Sequence, residues 1–375
     1  MTETFSAACS PGLEPILQRE LRGLGLAARE PRLNGGEVEF QGSVRELYRA
    51  NLLLRTADRV AVKLGAFYAN TFPELRKKAS RLSWERYLAP GRPVALRAEC
   101  RRSRLYHKGA VAERLLAAIA DNLGKPPRVE EQDEDAGRVP QLVLVRLEAN
   151  LCTVTIDSSG APLHRRGYRL AGAKAPLRET LACAAVMASG WDGASPLLDP
   201  FCGSGTIPIE AALLARRIAP GAARRFAFMD WAGFDAPLWD ALLADARAQA
   251  GSAGPRIIAS DRDAGAVRAA RANAGRAGVA GCIEFSCRAL SAIEPPSGPG
   301  WLVCNPPYGV RLKGSGDLRN LYAQLGNVLS AKCPGWRAAV LCSDTRLFGS
   351  AGLSFELAMS AMNGPLKVRL GTCLV

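Results

Sequence analysis

Pro196-Leu197-Leu198-Asp199-Pro200-Phe201-Cys202-Gly203-Ser204-Gly205-Thr206 decides how the second half of this chain folds. An apolar run ends in a carboxylate, two glycines follow, and an apolar helical pattern runs from Ile207 to Arg217. That is a strand, a tight turn and a helix. The glycines let backbone approach a ligand, and the helix start offers N–H groups with no partner inside the helix. Two loop types are excluded. A Walker loop needs Gly-Lys-Ser/Thr after its glycines, which is absent, and a dinucleotide loop needs a third glycine where Pro208 stands.

The carboxylate narrows the ligand. Asp199 would repel a pyrophosphate, whereas it suits the ammonium and hydroxyl groups of S-adenosylmethionine. Arg256-Ile257-Ile258-Ala259-Ser260 predicts a second strand, and Asp261 at its end is placed to take ribose hydroxyls. Asp263 predicts the N-cap of a helix over 264–274. Ile283-Glu284-Phe285, Trp301–Cys304 and Ala338–Cys342 predict three more strands, and residues 355–359 and 366–370 flank Asn363-Gly364-Pro365 as a hairpin. A parallel sheet with an antiparallel last strand separates a class I methyltransferase from a dehydrogenase. The expected fold of this half is therefore α/β and Rossmann-like.

Asn305-Pro306-Pro307-Tyr308 follows the fourth strand. Two prolines fix φ near about −65° and cannot donate, so the segment is a stiff projection with an amide at its base and a ring at its tip. Asn305 and the Pro306 carbonyl can accept from an exocyclic amine while Tyr308 stacks on the base that carries it. These three residues are the catalytic candidates. A Pro-Pro turn carrying a core tyrosine is the plain alternative.

The first half reads differently. Leu13, Ile16, Leu17 and Leu21 have helical spacing, Asn34-Gly35-Gly36 is a turn, Val38 and Phe40 alternate, and Val44–Leu54 is helical again, which suits a small split-βαβ unit over residues 1–60. Residues 61–157 then carry one-sided charge, with Arg76, Lys77, Lys78, Arg101, Arg102, Arg104 and Lys108 as candidate phosphate contacts. Gly109–Leu123 predicts a helix, and residues 142–147 and 152–156 predict strands. His164-Arg165-Arg166-Gly167-Tyr168-Arg169 reads as part of a basic connector over 158–178, with Arg165 and Arg166 added to the RNA candidates. The catalytic unit is expected over 179–375.

Composition agrees with that plan. The 375 residues exceed one ordinary domain, and 48% hydrophobic with 22% charged residues permits real cores. A net charge of +14 favours a polyanionic partner. Only two histidines and 11 scattered cysteines argue against a zinc site, so no metal is expected. No apolar run approaches the roughly 20 residues that span a bilayer. The start lacks a basic and apolar leader pattern, and a cytoplasmic location is expected.

Read in order, D-P-F-C-G-S-G-T, S-D-R-D and N-P-P-Y-G, preceded by H-R-R-G-Y-R and A-P-L-R-E-T-L-A, resemble the THUMP-domain guanine-N2 RNA methyltransferases that use S-adenosylmethionine, above all the bacterial 23S ribosomal RNA branch. The resemblance covers nearly the whole chain. It implies a ferredoxin-like domain, a THUMP module and a class I methyltransferase domain. It also implies that Asp199, Gly203 and Gly205 hold the methionine part of the cofactor, that Asp261 holds its ribose, that Cys202 and Thr206 of the same turn bind the cofactor, and that Arg178 and Thr180 line the pocket. The implied partner is structured RNA: 23S ribosomal RNA, an assembly intermediate, or transfer RNA. An RNA-binding assembly factor is the non-enzymatic alternative. One position departs from the pattern: Ala289 stands where relatives carry an acidic residue facing the adenine. No oligomeric state is implied.

Overall fold

Phe5 and Ala7 are buried on one face of β1 (Glu3–Ala8), and this alternation starts an α+β half. The computed structural model describes residues 2–31, 35–88, 92–131, 139–169, 177–307 and 315–375, with backbone alone for 315–317. α1 (Glu14–Gly23) lays Leu17 and Leu21 on the sheet, and β2 (Ala27–Ala28) and β3 (Glu37–Gly42) follow. α2 (Val44–Leu53) opens with a capping box, in which Glu46 accepts from the Ser43 N–H at 2.8 Å. β4 (Arg59–Tyr68), α3 (Phe72–Ala79), β5 (Val94–Arg101), α4 (Lys108–Leu123), β6 (Gln141–Glu148) and β7 (Leu151–Asp157) complete this half.

These strands form one seven-stranded sheet in the order β2-β3-β1-β4-β7-β6-β5. β4 joins the two expected modules: residues 59–62 pair with β1, and 61–68 pair with β7. A ten-residue strand is long enough to serve both neighbours, so the anticipated boundary at residue 60 falls inside it.

The second half begins with α5 (Glu179–Ala188), β8 (Leu197–Asp199), α6 (Thr206–Ala215) and α7 (Ala236–Ala248). α5 and α6 are buried over most of their surface, as helices apolar all round must be. β9 (Ile257–Asp261), α8 (Ala264–Arg276), β10 (Ile283–Cys287), β11 (Trp301–Cys304), α9 (Ser315–Lys332), β12 (Arg337–Cys342), α10 (Arg346–Ser350), β13 (Glu356–Asn363) and β14 (Leu366–Leu374) follow. Asp263 caps α8, accepting from the N–H groups of Gly265 and Ala266. The sheet order is β10-β9-β8-β11-β12-β14-β13; β8 to β12 are parallel, and β14 runs antiparallel between β12 and β13. This is the Rossmann-like sheet with an antiparallel last strand that the sequence predicts.

The halves share one core. An unbroken apolar cluster runs from Phe5, Leu17 and Phe40 to Ala182, Ile209 and Phe228. The segment between α6 and α7 supplies much of the contact. Phe228 stacks on Tyr48 at 4.3 Å, and Trp231 Nε1 donates to Gln141 Oε1 at 2.9 Å. Residues 158–169 are not an exposed connector. Ser158 and Ser159 are fully buried, as are Leu163 and Tyr168 within a few per cent, and Arg224 donates to the Ala161 and Pro162 carbonyls. Among the described residues, no helix is long and apolar enough to cross a membrane.

Candidate active site

β8 is the hub of the catalytic sheet. From it the chain builds outward to β9 and β10 on one side, then returns to lay β11 and β12 on the other. Ligands bind outside the carboxyl ends of the strands at such a reversal. Register places the candidates there: Asp199 lies opposite Ala259 of β9, and Leu198 lies opposite Leu302 of β11. Asp199, Asp261 and Asn305 thus end three neighbouring strands, spaced about 4.8 Å apart. They line a cleft of about 790 Å³ that also exposes Phe201, Gly203 and Thr206.

Asp199 is 1% exposed, and its Oδ1 accepts from the Phe201 N–H at 3.0 Å. Burial, assisted by the charge of Asp261, pushes this carboxyl well above the ordinary aspartate range. A cation in the cleft would reverse that, which suits the site to an ammonium group. Asp261 pins the turn, its Oδ2 accepting from the Gly203 N–H and its Oδ1 from the Asp263 N–H, each at 3.0 Å. A carboxylate has about four lone-pair sites, so capacity remains for hydroxyls in the cleft.

The two glycines of the turn do different work. Gly203 has φ +51°, and a Cβ there would meet nothing within 4 Å, so the turn leaves its ligand side open. At Gly205, with φ +85°, a Cβ would lie 3.0 Å from Ala270 Cβ and 3.2 Å from Ile209 Cδ1. Gly205 is not among the residues lining the cleft, and its lack of a Cβ lets α6 pack on α8. Cys202 does line the cleft, and burial followed by the nearby carboxylates keeps its thiol protonated.

Asn305 and Pro307 face the cleft, with Pro306 buried between them. Asn305 Oδ1 is buried and has no hydrogen-bond partner among the described residues. Such an oxygen is costly unless a donor meets it. Tyr308 lies outside the described residues.

Two expected cofactor contacts sit elsewhere. Thr180 is fully buried, and its Oγ1 donates to Asp58 Oδ1 at 2.9 Å; Arg178 Nη1 stands 4.0 Å from Asp58 Oδ2. Both serve the contact between the halves because Asp58 is itself largely buried. Burial opposes its ionisation, yet His164, Thr180 and Arg178 hold its carboxyl below the usual range. Conversely, the cleft is closed by Asn320, Leu321 and Gln324 of α9 and by Leu177, none of which carries a motif. Arg288, Ala289 and Leu290 do line it, so the departure at Ala289 falls on a cleft wall.

The basic candidates divide. Arg101, Arg102, Arg104 and Lys108 are exposed around the turn after β5, beside Tyr106 at 69% exposure. Asn150 ties this turn to the end of β4, accepting from the Arg104 N–H at 2.8 Å while its carbonyl accepts from the Ala69 N–H. Lys77 is exposed, Arg76 makes a bidentate pair with Asp121, and Lys78 pairs with Glu74. Arg165 is half-buried. Arg166 is corrected: it is 5% exposed and donates to the Leu163 and Arg55 carbonyls, so it cannot reach a phosphate. Among the described residues no cluster of three metal-ligating side chains occurs.

Comparison with known proteins follows this geometry. Residues 166–371 match the family model for the RMKL-like methyltransferase domain, UPF0020, and residues 4–61 match that for the RlmL ferredoxin-like domain. A ribosomal RNA large subunit methyltransferase K/L of Methylococcus capsulatus is 38% identical over 99% of this chain and 51% of its own length. The chain thus spans about half the length of the first curated relatives it matches. The protein slr0064 of Synechocystis sp., assigned as an RNA methyltransferase, is 34% identical over 98% of this chain and 96% of its own. The solved structure of SMU.472, assigned as a methyltransferase and complexed with SAH, superposes with a TM-score of 0.88 at 30% identity, covering 100% of this chain and 98% of that one.

Proposed function

This chain belongs to the UPF0020 family of RMKL-like methyltransferases, and from that premise we propose that it methylates the exocyclic N2 amine of a guanine in large-subunit ribosomal RNA. The cofactor is S-adenosylmethionine, which supplies an electrophilic methyl group when bound. Asp199 and Asp261 fit it: the first offers a buried carboxylate to an ammonium, the second spare acceptor capacity to hydroxyls, and Gly203 leaves the ligand side of the turn open.

The observation that carries the reading is the buried, partnerless Asn305 Oδ1 at the reversal of the sheet. Its natural partner is an N–H of the target. The lone pair of an aromatic amine is delocalised into the ring, so the free amine is a poor nucleophile. Accepting its N–H bonds at Asn305 and at the Pro306 carbonyl draws the nitrogen toward a tetrahedral arrangement and localises that pair. Most of the acceleration then comes from positioning. Tyr308 stacks on the base once it has been taken out of its helix. The exposed arginines after β5 grip RNA through its phosphates and shape, and the core shared by the halves fixes their distance from the cleft. RNA and a soluble, cytoplasmic setting go together in this reading.

The test is incubation of the protein with unmodified ribosomal and transfer RNA and labelled cofactor, followed by identification of the methylated nucleoside. N2-methylguanosine in the large-subunit RNA is expected. Label confined to transfer RNA would move the substrate, and N6-methyladenosine would refute the guanine assignment.

A further inference from the structure

Tyr68 and Tyr106 are the two exposed aromatic rings among the described residues, at 62% and 69% exposure, and both are held beside Asn150 in the turn between β6 and β7. Ala69, next to Tyr68, donates its N–H to the Asn150 carbonyl at 2.9 Å. The Arg104 N–H, two residues before Tyr106, donates to Asn150 Oδ1 at 2.8 Å. The turn after β5 is locked to the same place. The Asn150 N–H donates to Ser103 Oγ at 3.0 Å, and Ser103 Oγ and the Ala149 N–H both donate to the Arg101 carbonyl, at 2.9 and 3.2 Å. Arg102, Ala149 and Asn150 have φ of +48°, +49° and +65°, so two neighbouring turns hold left-handed backbone at residues that carry a Cβ. Such strain persists only where the surroundings over-determine it, and it gathers at functional sites. Leu105, 5% exposed, anchors the segment from beneath, and Tyr106 stands out from that base against the His107 ring at 4.4 Å and 36°.

Cations surround these rings. Arg102, Arg104 and Lys108 are exposed and have no acidic partner among the described residues. Arg101 is exposed too, 3.9 Å from Glu99 and opposite Glu148 in register, and Lys78 Nζ donates to the Tyr68 carbonyl at 2.9 Å. Rings interleaved with cations suit a chain that alternates planar bases with phosphates. In a duplex the neighbouring pairs cover both faces of each base, so only an unpaired base offers a face to a ring.

We infer that this end of the first sheet binds unpaired nucleotides of RNA. Tyr106, backed by His107, and Tyr68 stack on base faces, while Arg102, Arg104 and Lys108 take the phosphates between them. The interlocked turns hold the rings ready, so little order has to be imposed when RNA arrives. This rests on the RNA reading above and adds the form of RNA that the first half selects.

The test is fluorescence anisotropy of the full chain with three RNA probes of about twelve nucleotides per strand: an unstructured adenosine–cytidine single strand, its abasic counterpart and a duplex. The parent should bind the intact single strand more tightly than the abasic one, which keeps the phosphates and lacks the bases. Tyr106→Ala and Tyr68→Ala are each expected to weaken the intact single strand about tenfold, with the duplex within twofold and the salt slope unchanged. Tyr106→Phe, which retains the ring, should bind as the parent does. Arg102→Ala should instead lower the salt slope by about one on single strand and duplex alike. Unchanged single-strand affinity in Tyr106→Ala, equal weakening of single strand and duplex, or equal parent affinity for the intact and abasic strands overturns the inference. Failure of the parent to bind any of the three probes overturns the RNA reading as well, so the two failures are distinguishable.

Discussion

Arg101-Arg102-Ser103-Arg104 and His164-Arg165-Arg166-Gly167-Tyr168-Arg169 are similarly basic in sequence and are used in opposite ways. The first stretch ends β5 and enters the turn after it, with its three arginines exposed beside Tyr106. The second is drawn between the halves. There Arg166 satisfies two backbone carbonyls beside the buried Glu210, Tyr168 donates to that same carboxylate at 2.9 Å, and Arg169 holds Thr206. Five donors on a planar fork make arginine suited to either task, phosphate or buried carbonyl. What separates them is the neighbourhood. β5 lies at a sheet edge beside solvent, whereas Arg166 and Tyr168 are packed between the halves, against α6 and the segment between α6 and α7.

The comparison can be broken by substitution, and the largest effect belongs to the strap. Arg166→Met leaves two carbonyls unpaired and removes one of the two cations near Glu210, and should cost about 3–5 kcal/mol in urea unfolding. Arg102→Ala should stay within about 0.5 kcal/mol. Similar losses in the two variants would erase the distinction. Next comes RNA. Replacing Arg101, Arg102 and Arg104 together with Ala should weaken RNA binding roughly thirtyfold and flatten the salt dependence by two to three counterions, with S-adenosylhomocysteine affinity unchanged. A loss of RNA binding that is independent of salt would count against phosphate contact.

A smaller, graded effect sharpens the cleft side. The buried Asp199 carboxyl lies above its ordinary value, so in the free protein it holds its proton more tightly than in the unfolded chain. Protonation therefore stabilises the fold; that contribution is fully present below the ordinary aspartate pKa of about 3.9 and is lost as pH rises through the raised value. Ammonium binding has the opposite sign because it needs the ionised form. S-adenosylhomocysteine affinity should fall about tenfold per pH unit below the raised pKa and level off above it. Asp199→Asn should bind weakly with no such slope. An unchanged slope in that variant would place the titrating group elsewhere.

The catalytic sheet was legible because its signals are local. The glycine turn, the cap at Asp263 and the Asn363-Gly364-Pro365 hairpin each announce themselves in a few residues, and the antiparallel last strand follows from the hairpin. Asp199, Asp261 and Asn305 line one cleft because strand ends in a parallel sheet converge. What escaped depends on packing between distant segments. β4 pairs with both β1 and β7, and no composition shift marks that sharing. Gly205 reads in the sequence like Gly203, and only the approach of Ala270 shows that it also serves helix packing. Thr180 and Arg166 were misplaced because their partners, Asp58 and Arg55, lie more than a hundred residues away. Asn320 and Gln324 enter the cleft from a helix with no motif at all.

The central claim is that Asn305 handles the target amine and leaves the cofactor to other residues. The most direct measurement compares the parent protein and Asn305→Ala for methyl transfer to RNA and, by calorimetry, for S-adenosylhomocysteine binding. The account predicts that transfer falls by at least about a hundredfold while S-adenosylhomocysteine affinity stays within twofold. Undiminished transfer in Asn305→Ala, or a loss of transfer explained wholly by lost cofactor affinity, would contradict it.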